Sequence, residues 1–150
     1  LVQKIPTPIK PVEIDDNRHI TLASFEQKST VDYIGVVQSF PICFDAKECS
    51  ADSFSLQNIH EHQVEFMKAF EKQGGISFFL LYFTKREEYY YLRLDELLVF
   101  WNRAKEGGRK SFRYDELNKD FFFENVKPIF IPYLDYINKD LRYRENNMLT

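Results

Sequence analysis

Three side chains in the first third of the chain have the types and spacing for phosphate or metal chemistry. Asp32 stands near the head of Val31-Asp32-Tyr33-Ile34-Gly35-Val36-Val37, and Asp45 and Lys47 close Pro41-Ile42-Cys43-Phe44-Asp45-Ala46-Lys47. Between the runs lies the polar break Gln38-Ser39-Phe40. Two β-branched runs across a short break predict an antiparallel hairpin, which sets the start of the first strand beside the end of the second. Residues two apart on a strand share a face, so Asp45 and Lys47 emerge together, with Asp32 beside them. Two carboxylates next to an ammonium suit a hard divalent cation and offset the charge that builds on a phosphate under attack. The expected chemistry is phosphodiester hydrolysis. Asp32 and Asp45 hold Mg²⁺ (Mn²⁺ being the alternative), and Lys47 orients the water or stabilises the developing charge.

Several elements must frame that hairpin. Leu56, Ile59, Gln63, Phe66 and Phe70 recur at helical steps and predict a helix from about Leu56 to Gln73, ended by Gly74-Gly75. Gln63 is the polar member of this apolar stripe. Two readings stay open for it: a buried amide satisfied by backbone, or a carbonyl oxygen aimed at the metal. His60 and His62, two apart on that helix, are expected to point in different directions and to be surface groups. Ile76 to Phe83 is nearly continuous apolar sequence, as in a central strand buried on both faces. Glu88 to Leu92 is the next strand, and Asp95 caps a helix whose Leu97, Leu98, Phe100 and Trp101 pack on the sheet, Trp101 being read as core. Phe121 to Ile131 gives a last strand broken by Pro128, and Asp135 to Arg144 a terminal helix fraying into Glu145-Asn146-Asn147.

Two basic regions lie apart from the hairpin. Pro6, Pro8 and Pro11 keep the leading segment extended, and Val12-Glu13-Ile14 and His19-Ile20-Thr21-Leu22 alternate like a hairpin turning at Asp15-Asp16-Asn17. The second region runs from Arg103 to Arg113, where five basic residues surround Gly107-Gly108 ahead of a short helix at Asp115 to Asn118. Clustered Arg and Lys in a flexible loop favour contact with a nucleic-acid backbone, so Arg109, Lys110 and Arg113 are assigned to DNA.

Bulk properties narrow the class. The 150 residues fit one domain spanning 1–150, and 44% hydrophobic with 17% aromatic content argues for a folded chain. A net charge of −3 speaks against non-specific DNA coating, yet an acidic metal site raises the negative count while basic loops grip phosphate. Cys43 and Cys49 are too few for a disulfide framework and lack zinc spacing, which fits a reduced, cytoplasmic setting. No apolar run approaches a membrane span, and no signal peptide is visible.

Five further stretches support a family resemblance. With Lys28-Ser29-Thr30-Val31-Asp32-Tyr33-Ile34-Gly35, the segments Phe44-Asp45-Ala46-Lys47-Glu48, Leu56-Gln57-Asn58-Ile59-His60-Glu61-His62-Gln63, Gly74-Gly75-Ile76, Phe100-Trp101 and Gly107-Gly108-Arg109-Lys110-Ser111 follow one order and spacing. That pattern resembles the RecU family of Holliday junction resolvases, within the PD-(D/E)xK nucleases, from about Pro6 to Leu117. The resemblance implies an α/β, restriction-endonuclease-like mixed β-sheet flanked by helices, with a projecting stalk-like hairpin over about residues 9–28. It implies a structure-selective, Mg²⁺-dependent endonuclease that resolves four-way junctions as a homodimer, with recombinase or branch-migration proteins as further partners. It places a metal ligand at Gln63, and the Thr30 hydroxyl or a neighbouring carbonyl completes the set. On the stalk, Lys10, Arg18 and Lys28 would face phosphate.

Two departures stand out. Family members commonly carry Glu where this chain has Asp45, which brings the metal about one methylene closer to the strand. Their N-terminal region, with a Gly-Arg motif and a glutamate-bearing helix, has no counterpart before Leu1, so the chain is read as a fragment or a divergent branch. Two other classes remain open: a non-catalytic DNA-binding or recombinase-interacting relative, and a nuclease of the restriction type.

Overall fold

The computed structural model describes residues 1–25, 30–124 and 132–148. In chain order its elements are β1 (Val2–Lys4), β2 (Ile9–Ile14), β3 (Ile20–Phe25), β4 (Tyr33–Val37), β5 (Phe40–Cys49), β6 (Ser53–Ser55), α1 (Glu61–Lys72), β7 (Ile76–Phe83), β8 (Glu88–Arg93), α2 (Leu94–Lys105), β9 (Ser111–Arg113), β10 (Phe122–Glu124) and α3 (Tyr133–Met148). Short 3₁₀ turns occupy Leu56–Asn58, Tyr114–Glu116 and Lys119–Phe121.

The hairpin of β4 and β5 is the frame of the sheet. Gln38 and Ser39 take φ of 48° and 71°, the backbone of a two-residue turn whose twist matches that of the strands. Val37 therefore pairs with Phe40 and Tyr33 with Phe44. β5 continues into a parallel pairing with β7, Ile42 opposite Ile76, and α1 makes the crossover between them. The full order is β1-β4-β5-β7-β8-β10, mixed as expected, with every other neighbour antiparallel. β7 is buried along nearly its whole length, as its unbroken apolar run requires. Gly74 at φ 84° ends α1 just before it.

One face carries a ladder of rings across four strands. Tyr33, Phe44, Phe78 and Tyr91 stack at 4.6, 4.8 and 4.3 Å between successive centroids. α3 lies over it: Tyr133 meets Phe44, and the Tyr91 hydroxyl donates to the fully buried Asp140 at 2.9 Å. Arg144, one turn on, donates to Asp140 at 2.9 Å and to Glu71 of α1 at 2.8 Å, so the two helices are joined beyond the sheet.

The structure shifts several expected boundaries. The helix foreseen from Leu56 is interrupted. Leu56–Asn58 is a 3₁₀ turn, Ile59 and His60 are extended, and α1 starts at Glu61 with Gln63, Val64 and Met67 as its buried side. The terminal helix does not fray at Glu145 but runs from Tyr133 to Met148. Of the expected last strand, Phe122–Glu124 is strand β10, and residues 125–131 lie outside the described residues. The leading segment does more than extend, since β1 pairs with β4 as an edge strand of the main sheet.

β2 and β3 form a separate two-stranded sheet over Ile9–Phe25, within the stretch where a stalk-like hairpin is expected; residues 26–28 of that expectation lie outside the described residues. β2 is exposed throughout, and Ile9, Val12, Ile14, Ile20 and Leu22 are each about half exposed. Among the described residues no helix is long and apolar enough to cross a membrane.

Candidate active site

Asp45 sits on the central strand β5 with no exposed surface, yet it is a carboxylate. Burial of such a group requires partners, and three converge on it. Lys47, two residues along the same face, holds its ammonium 2.9 Å from Oδ2. The backbone N–H of Asp32 donates to Oδ1 at 2.6 Å, a consequence of the register that sets Tyr33 against Phe44. From α1, Gln63 donates through Nε2 to Oδ2 at 2.6 Å. The hairpin and the crossover helix thus meet at one carboxylate.

The Asp32 side chain is half-buried beside it. Burial is the main cause holding its carboxyl above the ordinary aspartate range. The negative charge of Asp45 adds to the rise, while Lys47, Lys4 and the Ala46 backbone act the other way. Lys4 is a member of this neighbourhood that sequence reasoning missed. It arrives on β1, where Lys4 pairs with Tyr33 and the following Ile5 N–H donates to the Asp32 carbonyl at 2.7 Å. The only sequence signal was a lysine ending a short alternating stretch before Pro6.

Of the two readings left open for Gln63, the structure has the buried amide with a backbone partner, its nitrogen rather than its oxygen turned to Asp45. Its amide is buried and satisfied: Nε2 donates to Asp45, and Oε1 accepts from the His60 backbone N–H at 3.1 Å, closing the N-terminus of α1. For the histidines the expected surface position holds for His60, which is exposed, while the expected divergence is corrected. His60 is the extended residue ahead of the helix rather than part of it, and its ring stacks on His62 with centroids 5.4 Å apart. Thr30 is half-buried two residues before Asp32.

The basic loop is internally paired. Arg103 and Arg109 both reach Glu116, at 2.7 and 2.9 Å. Arg113 meets Asp115 at 3.0 Å, and Lys105 meets Glu61 at 2.9 Å. Lys110 makes no ion pair among the described residues, while its carbonyl accepts from Leu56 N–H at 3.1 Å. Arg109, Lys110 and Arg113 therefore flank the segment that leads into α1. Lys10 and Arg18 belong instead to the separate hairpin; both are exposed, and Arg18 takes φ 65° in its turn. Lys28 lies outside the described residues.

Oxygen donors that could hold a cation are the Asp32 and Asp45 carboxylates, the Gln63 amide oxygen and the Thr30 hydroxyl. Among the described residues no three His, Cys, Asp or Glu side chains gather into a metal cluster. Mg²⁺ takes one or two carboxylates and keeps several waters, so a two-carboxylate set fits it. The raised Asp32 points the same way, because the carboxylate repulsion behind part of it is what a cation between the pair relieves.

The family described as Recombination protein U, RecU, matches residues 1–139. The chain is similar to the Holliday junction resolvase RecU of Bacillus licheniformis, 42% identical over 145 residues, covering 91% of this chain and 70% of that one. It is 38% identical over 146 residues to the Holliday junction resolvase RecU of Bacillus subtilis, covering 92% and 68%. With the resolvase of the same name from Levilactobacillus brevis it shares 42% over 125 residues, 80% of this chain and 62% of that one. The chain thus spans about two thirds of the length of these relatives. A match across nearly all its residues, together with a hairpin that delivers Asp32, Asp45 and Lys47 to one place, establishes that the chain belongs to the RecU family.

Proposed function

We propose that the chain is a divalent-metal-dependent endonuclease that resolves four-way DNA junctions. The observation that carries this reading is the buried Asp45, a carboxylate held by Lys47, Asp32 and Gln63 at the end of the hairpin. A structural role would be served as well by an apolar residue, since replacing a buried ion pair with packed hydrophobics is often neutral or stabilising. That argues against the non-catalytic alternative. The names of the similar resolvases supply the substrate class.

A bound divalent ion, Mg²⁺ or Mn²⁺, would supply Lewis acidity at the phosphate and an acidified water. Asp32 and Asp45 would hold it, with Gln63 and Thr30 as further oxygen donors. Lys47, paired with Asp45, would orient the attacking water or offset charge on the phosphate as it becomes five-coordinate. Lys4, across the pair from β1, adds positive potential on the side of Asp32. Arg109, Lys110 and Arg113 would grip the backbone of the same duplex arm, and Lys10, Arg18 and Lys28 on the hairpin would reach a second one. A homodimer would match its two-fold axis to that of the junction and set two sites on opposite strands.

The test is incubation of the protein with a labelled four-way junction and with a linear duplex of the same sequence, each with Mg²⁺ and with EDTA. Paired nicks in the junction that require Mg²⁺ are expected. Equal cutting of the duplex would favour the restriction type of nuclease, and junction binding without cleavage the non-catalytic class.

A further inference from the structure

Next to the catalytic cluster, and sharing none of its side chains, runs a groove of about 380 Å³ lined by Leu56, Ile59, Glu61, Trp101, Ala104 and Lys110, with Lys105 at its edge. Leu56 and Ile59 are buried and make an apolar floor, and the half-buried indole of Trp101 forms part of the wall. The indole Nε1 is buried and makes no hydrogen bond, so packing alone holds the ring. Around the mouth, Lys105 neutralises Glu61 at 2.9 Å, which leaves the ammonium of Lys110 as the uncompensated charge. The groove is joined to the catalytic centre by short links: Lys110 accepts from Leu56, and His60, next after Ile59, donates to Gln63, which donates to Asp45.

We infer that this groove receives one unstacked nucleobase of the bound DNA, with Trp101 as its stacking wall and Lys110 on the adjoining phosphate. The inference rests on the nuclease reading above and names a binding subsite for its substrate. An aromatic wall over an aliphatic floor accepts any base, because every base has a π-face. A single cation at the rim matches a single phosphate, whereas an apolar peptide segment would have no use for it. The volume is at the low end of the roughly 300–1,000 Å³ of small-molecule pockets, enough for a nucleoside and too little for a duplex. Where strands exchange, a base loses a stacking neighbour, and the indole replaces it. The arrangement would fix the register of the DNA relative to Asp45.

Trp101 is the sole tryptophan of the chain, so indole emission reports this groove alone. The experiment adds a dye-labelled four-way junction, and separately a short single-stranded oligonucleotide, to the protein in EDTA. Binding is read from dye anisotropy and stacking from tryptophan emission. Emission is expected to fall at least about twofold at saturation, since base–indole stacking quenches it. Ala104→Phe, which fills the groove, is expected to abolish the quench and weaken oligonucleotide binding about tenfold, with melting unchanged. Should that variant fail to fold, Ala104→Leu, a smaller filler, is expected to lessen the quench while junction anisotropy still saturates, and an undiminished quench overturns the groove. Saturable anisotropy with unchanged emission overturns the groove and leaves the nuclease reading standing. No anisotropy change with either DNA overturns both. Emission that follows protein concentration instead of DNA would assign the groove to a second copy of the chain and overturn the inference.

Discussion

The Gln63 amide nitrogen and the Asp45 carboxylate lie 2.6 Å apart, and both groups are buried. The same amide accepts from the His60 N–H through its oxygen. With its nitrogen on Asp45, the amide presents its oxygen to His60 and not to the space beside Asp45. Turning it would set an NH₂ group against the His60 N–H, donor to donor. Were Gln63 a ligand as proposed, metal affinity and the cap of α1 would compete.

Gln63→Leu should therefore act on both. It leaves the His60 N–H without its acceptor and Asp45 with one donor fewer, a loss of about 1–3 kcal/mol that a thermal melt reads directly. It should also raise the Mg²⁺ concentration needed for cleavage. A variant that melts early with an unshifted metal requirement would remove Gln63 from the metal site and leave it a purely structural amide.

Asp45→Asn and Asp32→Asn should each reduce junction cleavage by at least about 100-fold while junction binding persists, because the electrostatic work at the phosphate is lost and the basic contacts are not. Cleavage by either variant near the wild-type rate would show that the site is misassigned.

The pH dependence of stability carries a definite sign. Burial, then the charge of Asp45, holds Asp32 above its ordinary 3.8 in the folded protein. Between the ordinary and the raised value the native state binds the extra proton. Stability is thus present below that window and is lost as pH rises through it. Without divalent ions, Asp32→Asn should melt above wild type at neutral pH, and the gap should close as the solution is acidified. A gap that is constant across pH would refute this.

In the basic loop, Lys110→Ala should weaken junction binding and lower the salt slope by about 0.9 per lost contact. Arg109→Ala should cost less, because Arg109 must first leave Glu116. Glu116→Gln releases Arg103 and Arg109 together, so it should tighten binding and steepen the salt dependence. Filter binding across a salt series distinguishes these outcomes. A weakened Glu116→Gln complex would mean that Glu116 shapes the loop for DNA rather than restraining it.

How far the sequence reached depended on whether the interaction was local. The hairpin and the period-2 placement of Asp45 and Lys47 are local, and the structure has both, though the turn is Gln38-Ser39 alone and Phe40, read as part of the break, already pairs in β5. The start of α1 was not legible. A 3₁₀ turn also repeats every three residues, so Leu56 and Ile59 imitated the first turn of the helix while belonging to a different one. That misplacement also sent His60 and His62 to different sides and hid the cap that Gln63 makes on the His60 N–H. Lys4 and Glu116 were missed for another reason. Lys4 reaches Asp32 only through the pairing of β1 with β4, and Glu116 meets Arg103 only when the chain folds back after β9.

The crossover between β5 and β7 has a kinetic consequence. The hairpin closes over two residues, an event of about 1–10 μs, whereas Ile42 meets Ile76 only after the whole intervening segment is drawn in. Asp32 and Asp45 are neighbours from the first event, but Asp45 stays hydrated until α1 docks and Gln63 covers it. If α1 docks after the barrier, dehydration of the carboxylate is deferred with it. Asp45→Asn should consequently change the unfolding rate and leave the refolding rate nearly untouched, a low-φ position at the heart of the molecule. Stopped-flow refolding beside unfolding measures this, and a slowed refolding limb would place burial of the carboxylate before the barrier.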